Sequence, residues 1–133
     1  MRELQPLGPL GPRSCEDWPA QLATTPRTMP GDEREPVLAY LRACPIFLAW
    51  MGFSKDVIEN RFEVAGGSAI ASDGVYYWRV DAVDYIGEYG IAIPEAAVEH
   101  MRAKDWRPDA IGREEYLDLF DSLMALLHPA FDA

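Results

Sequence analysis

The alternation of apolar and polar residues predicts a β-hairpin near residues 68–79. A Ser-Asp-Gly turn signal at 72–74 separates two short runs with strand character, 68–71 and 75–78. The residues that follow change to a helical repeat, and Gly90 is suited to the left-handed end of a helix. We therefore expect a small hairpin that leads directly into a helix.

Apolar residues recur every three or four positions in four further segments, which is the spacing of an amphipathic helix. Their ends carry residues that favour helix termini, such as an acid in the first turn or a proline at the first position. These segments run from Asp32 to Cys44, from Ser54 to Asn60 or Phe62, from Pro94 to Lys104, and from Arg113 to Leu127. The pattern predicts a mainly helical α+β fold with about five helices and one small hairpin.

The first 31 residues differ from the rest, because they are rich in proline and show no periodic apolar face. We expect residues 1–31 to be disordered and residues 32–133 to form a single globular domain. A second hypothesis places the native start at Met29, since the sequence from there is a plausible beginning for a protein.

The run from Ile46 to Phe53 is the most hydrophobic stretch of the chain. It is too short to span a bilayer and too aromatic to be exposed to solvent. We therefore expect it to lie in the hydrophobic core or to form a surface that binds a partner. The last helical segment, 113–127, has an apolar face over about half of its circumference. Part of that face can pack on the domain and part on a second copy of the protein, which would make a homo-oligomer.

Charge narrows the classes of partner. The 133 residues include 22 acidic and 12 basic side chains, for a net charge of -10. The negative electrostatic field of such a protein disfavours binding to nucleic acid and to anionic membranes, and it speeds the encounter with a basic protein. The sequence also lacks a secretory signal pattern, and we expect a cytoplasmic location.

Catalytic and metal-binding motifs are missing from the sequence. The cysteines, Cys15 and Cys44, and the histidines, His100 and His128, lie at no metal-ligand spacing, and no phosphate-binding loop is present. We expect Cys44 to be a buried thiol and His100 to be a surface residue. The prediction is no cofactor, no metal and no catalytic residue, which favours a protein that is not an enzyme.

A candidate interaction surface combines the hairpin with the helix that follows it. Three carboxylates fall on one face of that helix, and one face of the second strand carries a pair of large aromatic residues. The surface comprises Tyr76, Trp78, Arg79, Asp81, Asp84 and Glu88. The alternative is that the acidic residues are only a solvated helix face.

Three functions remain open. The first is an interaction module that binds a basic protein, as an immunity protein binds its cognate toxin. The second is a small-molecule module with an aromatic pocket, in which Arg79 orients the ligand. That pocket would be lined by Trp50, Tyr77, Trp78 and Tyr85. The third is an enzyme that uses the carboxylates of Asp81 and Asp84, with or without a divalent cation.

Overall fold

A computed structural model describes residues 3–11, 18–48 and 52–131. Within these ranges the helices are α1 (Trp18–Thr24), α2 (Gly31–Ala43), α3 (Ala82–Tyr89), α4 (Glu95–Ala103) and α5 (Arg113–Phe131). The strands are β1 (Gln5–Pro6), β2 (Ile46–Leu48), β3 (Phe53–Lys55), β4 (Glu63–Ala65), β5 (Ile70–Ser72) and β6 (Tyr76–Arg79). The predicted α+β class is confirmed. None of the described helices is both long and apolar enough to cross a bilayer.

The predicted hairpin is confirmed as β5 and β6, the two central strands of a sheet with the order β1-β6-β5-β2. Its turn is held by Asp73, whose Oδ1 accepts hydrogen bonds from the backbone N–H groups of Val75 at 2.9 Å and Tyr76 at 2.8 Å. Side-chain bonds of this kind from aspartate favour a turn over continued strand. A separate ribbon of two antiparallel strands pairs β3 with β4.

The predicted disorder of residues 1–31 is not confirmed. Strand β1 pairs in parallel with β6, where Gln5 N–H donates to Val75 O at 2.9 Å and Leu7 N–H donates to Tyr77 O at 3.0 Å. Leu4, Leu7, Leu10 and Leu22 are buried. Prolines between these leucines interrupt any helical or strand repeat, so the sequence pattern does not reveal that the leucines are buried. The strand itself is stabilised by pairing with β6, which is distant in sequence.

The core therefore includes residues on both sides of the predicted boundary at residue 31. Leu7, Leu10 and Leu22 belong to the same buried cluster as residues of α2, α3 and α4. Residues 12–17 and the aromatic Trp50 lie outside the described ranges. The start at Met29 remains a prediction.

The predicted helix from Ser54 to Phe62 is wrong, because this segment contains β3 and a loop. The carboxylate of Asp56 accepts hydrogen bonds from the backbone N–H groups of Ile58 and Arg61, both at 2.8 Å. These side-chain bonds offer the backbone an alternative to the helix. Asn60 has a positive φ of 56°, which a right-handed helix does not allow.

Two buried clusters lie on the two faces of the main sheet. Trp78 packs with α2 and α3, whereas Tyr77, its neighbour on β6, packs with Leu119 and Leu123 of α5. The hydroxyl of Tyr116 on α5 donates to the backbone oxygen of Ile46 at 2.9 Å. This alternation along β6 is what a strand buried on both faces requires.

The ends of the apolar run 46–53 are exposed at Ile46 and Phe53, whereas Phe47 and Leu48 are buried. On the outer side of α5, Leu117 and Met124 are exposed at 52% and 37%. A homo-oligomer formed through this side of α5 remains a prediction.

Candidate functional site

The six residues predicted to form an interaction surface do not share one exposed surface. Trp78, Arg79 and Asp81 are buried, with exposed fractions of 1%, 8% and 1%. Tyr76 and Asp84 are partly buried, and only Glu88 is exposed. The prediction that three carboxylates are exposed on the helix after the hairpin is therefore wrong for Asp81, because its side chain is buried against a partner within the protein.

That partner is Arg79. Its Nε donates to Oδ1 of Asp81 at 3.0 Å and its Nη2 donates to Oδ2 at 2.8 Å, while the hydroxyl of Ser54 donates to Oδ2 at 2.9 Å. Asp81 occupies the N-cap position of α3 without capping it through its side chain. Burial, and then the charge of Asp81, raises the pKa of Asp84. The hydrogen bonds of Asp81 to Ser54 of β3 and to Arg79 of β6 join the β3–β4 ribbon to the main sheet.

The predicted aromatic pocket does not form from the described residues. Tyr77 and Trp78 point to opposite faces of the sheet and pack in separate clusters. Tyr85 is buried beside Trp78, and its hydroxyl accepts a 3.0 Å hydrogen bond from the backbone N–H of Val57. Burial raises the pKa of Tyr85 to about 12. These side chains are core residues.

A cleft of about 250 Å³ lies between the beginning of α2 and one side of α4. Its apolar floor is formed by Met29, Ile93 and Val98, which are nearly buried. Two backbone hydrogen bonds fix the segments beneath the cleft. Met29 N–H donates to Gly90 O at 3.1 Å, and Ala92 N–H donates to Pro26 O at 2.8 Å.

Carboxylates dominate the rim of this cleft. Glu95 and Glu99 lie one helical turn apart on α4, and Glu33 faces them from the first turn of α2. Arg102 donates from Nη2 to Oε1 of Glu33 at 2.6 Å and from Nη1 to Glu99. Among the described residues, Glu95 has no ion-pair partner.

Three carboxylates and one guanidinium give the cleft a net charge of -2 at neutral pH. The ion pair of Arg102 with Glu33 joins the two walls of the cleft. An apolar floor beneath an acidic rim suits a cation carried on an apolar stem. The cleft was missed in the sequence, although Glu95, Glu99 and Arg102 have the spacing of one helix face.

A second polar cluster lies beside α4 and centres on Asp73 in the hairpin turn. Oδ2 of Asp73 accepts a 2.6 Å hydrogen bond from the hydroxyl of Tyr40 and lies 3.0 Å from Nε2 of His100. Burial, and then the hydrogen bond to Asp73, raises the pKa of Tyr40. His100, which was predicted to be a surface residue, is only partly exposed, because its side chain packs against this turn.

The prediction that Cys44 is a buried thiol is confirmed. Its Sγ donates to the backbone oxygen of Tyr40 at 3.3 Å. Burial, followed by the charge of Asp73, raises the pKa of the thiol to about 12, which disfavours the reactive thiolate. In the part of the chain that the structure describes, no group of three or more potential ligands could hold a metal ion.

The geometry thus provides one cleft with a defined chemical preference and several buried polar clusters that connect elements of the fold. Comparison of the chain with protein-family models, with curated proteins and with solved structures gives no match.

Proposed function

We propose that the protein is a non-catalytic interaction module that binds a basic protein, and that the cleft between α2 and α4 receives a lysine or arginine side chain of this partner. The observation that carries the proposal is the acidic rim above an apolar floor. The proposal moves the interaction surface from the hairpin to the cleft, because the hairpin residues Trp78, Arg79 and Asp81 are buried.

The size of the cleft suits a side chain. Its volume of about 250 Å³ falls just below the roughly 300–1,000 Å³ that is typical of pockets for drug-sized ligands. The aliphatic stem of a lysine or arginine would cover Met29, Ile93 and Val98, while its charged end meets the rim. Apolar contact and charge then favour the same ligand.

Glu95 is the carboxylate that an incoming cation would meet first. Glu33 and Glu99 already bind Arg102, whereas Glu95 has no cationic partner among the described residues. Its negative charge also lies in the first turn of α4, where the helix dipole stabilises it. A cation at Glu95 would replace water without displacing an existing ion pair.

The charge of the whole molecule acts in the same direction. A net charge of -10 attracts a basic partner over a distance of about one Debye length, and this attraction mainly raises the association rate. The specificity then depends on the short-range contacts in the cleft.

The proposal is tested with the smallest ligand that carries the required group. Nα-acetyl-arginine amide is titrated into the labelled protein and followed by NMR, with Nα-acetyl-citrulline amide as the uncharged control of nearly equal shape. We expect shifts confined to amides of residues 28–33 and 92–102, and only with the arginine compound. Equal shifts with citrulline, or shifts at amides outside the cleft alone, would contradict the proposal.

A further inference from the structure

Two arginine side chains lie against the C-terminal end of α3. The guanidinium carbon of Arg27 is 4.9 Å from the ring centroid of Tyr89. Arg34 lies on the next residue, Gly90, so closely that a Cβ atom there would be 2.5 Å from Nη2 of Arg34. Gly90 also has a φ of +66°, so the backbone conformation favours glycine at this position.

Neither arginine has an acidic partner among the described residues, which is also true of Arg42, Arg107 and Arg113. Arg61, which also contacts the ring of Tyr89, lies 2.6 Å from Glu59 and 3.7 Å from Glu88. No such pair involves Arg27 or Arg34 within the described ranges, although the chain contains 22 acidic residues and 12 basic ones. Their charges are available to an anion from outside the chain.

Arg34 has a buried hydrogen-bond donor that lacks an acceptor. Its Nε is buried and has no acceptor in the described part of the structure. Buried polar groups are almost always hydrogen-bonded, and an unsatisfied charged donor is costly. An acceptor at this position would therefore stabilise the protein.

The dipole of α3 explains part of this arrangement. Its last turn contains no basic residue, so Arg27 and Arg34 supply the positive charge that favours a helix C-terminus. The dipole accounts for the presence of the charges but not for a buried Nε without an acceptor. Arg34 as a whole is only partly buried, so a ligand oxygen that enters beside its guanidinium group would satisfy that donor.

We propose that Arg27 and Arg34 form a binding site for an oxyanion, either a carboxylate or a phosphate group. The planar guanidinium group presents paired donors that match the oxygens of both anions. The ring of Tyr89 supports Arg27 from one side, which limits the orientations that this side chain can adopt. The site uses neither the carboxylates nor the apolar floor of the cleft, so it goes beyond the proposed function.

The Nε–H resonance of Arg34 reports on this site directly. The labelled protein is titrated with sodium phosphate and, separately, with sodium acetate, while sodium chloride holds the ionic strength constant. We expect one of the two anions to move the resonance in a saturable manner. The stronger of the two responses identifies the source of the oxyanion as phosphate or carboxylate.

Three variants complete the test. Arg34→Gln assigns the resonance, and Arg27→Gln, which changes an exposed residue and leaves Arg34 in place, should weaken anion binding at least about tenfold. Arg107→Gln removes the same charge from another exposed arginine and should leave the affinity unchanged. If neither anion moves the Arg34 resonance, or if Arg107→Gln weakens binding as much as Arg27→Gln, the site does not exist. Neither result bears on the binding of cations in the cleft.

Discussion

Nε2 of His100 lies 3.0 Å from Oδ2 of Asp73, whose side chain is 1% exposed. The same oxygen accepts the hydrogen bond from Tyr40, so one carboxylate connects α4, α2 and the hairpin turn. The ring of Tyr76 packs at 5.5 Å from that of His100 and shields the pair. This arrangement fixes α4, the helix that carries most of the acidic rim.

The first prediction concerns the coupling within this cluster. His100→Leu and Tyr40→Phe should each lower the free energy of unfolding by about 1–3 kcal/mol, because each removes a hydrogen bond to a buried carboxylate. Since both bonds end on Oδ2 of Asp73, the double variant should depart from additivity by at least about 0.5 kcal/mol. Urea denaturation of the four proteins measures the coupling.

A control for this cycle is Glu114→Gln, which changes an exposed residue of α5 and should have almost no effect on stability. Strict additivity of His100→Leu and Tyr40→Phe would show that the two side chains act independently and that Asp73 does not connect them.

The second prediction concerns the N-terminal segment. Leu7→Ala should destabilise the protein by about 2–5 kcal/mol, because Leu7 is fully buried between the sheet and α1. Gln5→Ala, in the neighbouring strand β1, should change stability by less than about 0.5 kcal/mol, because its side chain is exposed and its backbone bonds remain. Equal and small effects of the two substitutions would show that this segment does not contribute to the core.

A chain that starts at Met29 extends this prediction. It lacks four buried leucines, Leu4, Leu7, Leu10 and Leu22. At roughly 1.5–3 kcal/mol for each buried side chain, their loss is comparable to the whole stability of a domain. We expect this shortened chain to lose its near-ultraviolet circular dichroism, and a cooperative native spectrum would contradict that expectation.

The elements that could be predicted from the sequence are those with local signals. The Ser-Asp-Gly turn at residues 72–74 predicted the β5–β6 hairpin, and Gly90 predicted the end of α3. Strand β1 was missed because two residues among prolines carry no strand pattern, and only pairing with β6 stabilises them. The helix predicted from Ser54 failed because the bonds of Asp56 to backbone amides stabilise a loop.

The candidate site was harder to predict than the fold. Glu95, Glu99 and Arg102 show a helical spacing in the sequence, but Glu33 joins them only after α2 and α4 pack. Likewise, the sequence places Asp81 on the polar side of α3, whereas its burial depends on Ser54 and Arg79. Contacts between elements that are distant in sequence therefore determine both the assembly of the cleft and the burial of Asp81.

The third prediction concerns pH. Burial opposes ionisation of Asp56, but hydrogen bonds from Tyr89 and from the backbone amides of Arg61 and Ile58 hold its pKa below the ordinary value. A lowered pKa in the folded state means that the charged carboxylate stabilises the protein above the unfolded-state pKa of about 3.9. This contribution is lost as the pH falls below that value.

Asp56→Asn should therefore reduce the free energy of unfolding at pH 7, and the difference from the parent protein should shrink towards pH 3. Urea denaturation at a series of pH values measures this convergence. Glu63→Gln, at an exposed position on β4, serves as the control and should show almost no difference at either pH. A difference for Asp56→Asn that is independent of pH would show that the charge of Asp56 is not what stabilises the loop.

The proposed function requires that the cleft binds a basic side chain through its acidic rim. The most direct measurement compares Glu95→Lys with Glu114→Lys for the binding of Nα-acetyl-arginine amide, by NMR titration. Both residues are exposed in the first turn of a helix, and both changes take the net charge from -10 to -8. We predict that Glu95→Lys weakens binding at least about tenfold, because it places like charge in the cleft, whereas Glu114→Lys changes the affinity less than about twofold. Equal weakening by the two variants would show that only the overall charge matters and would contradict the account.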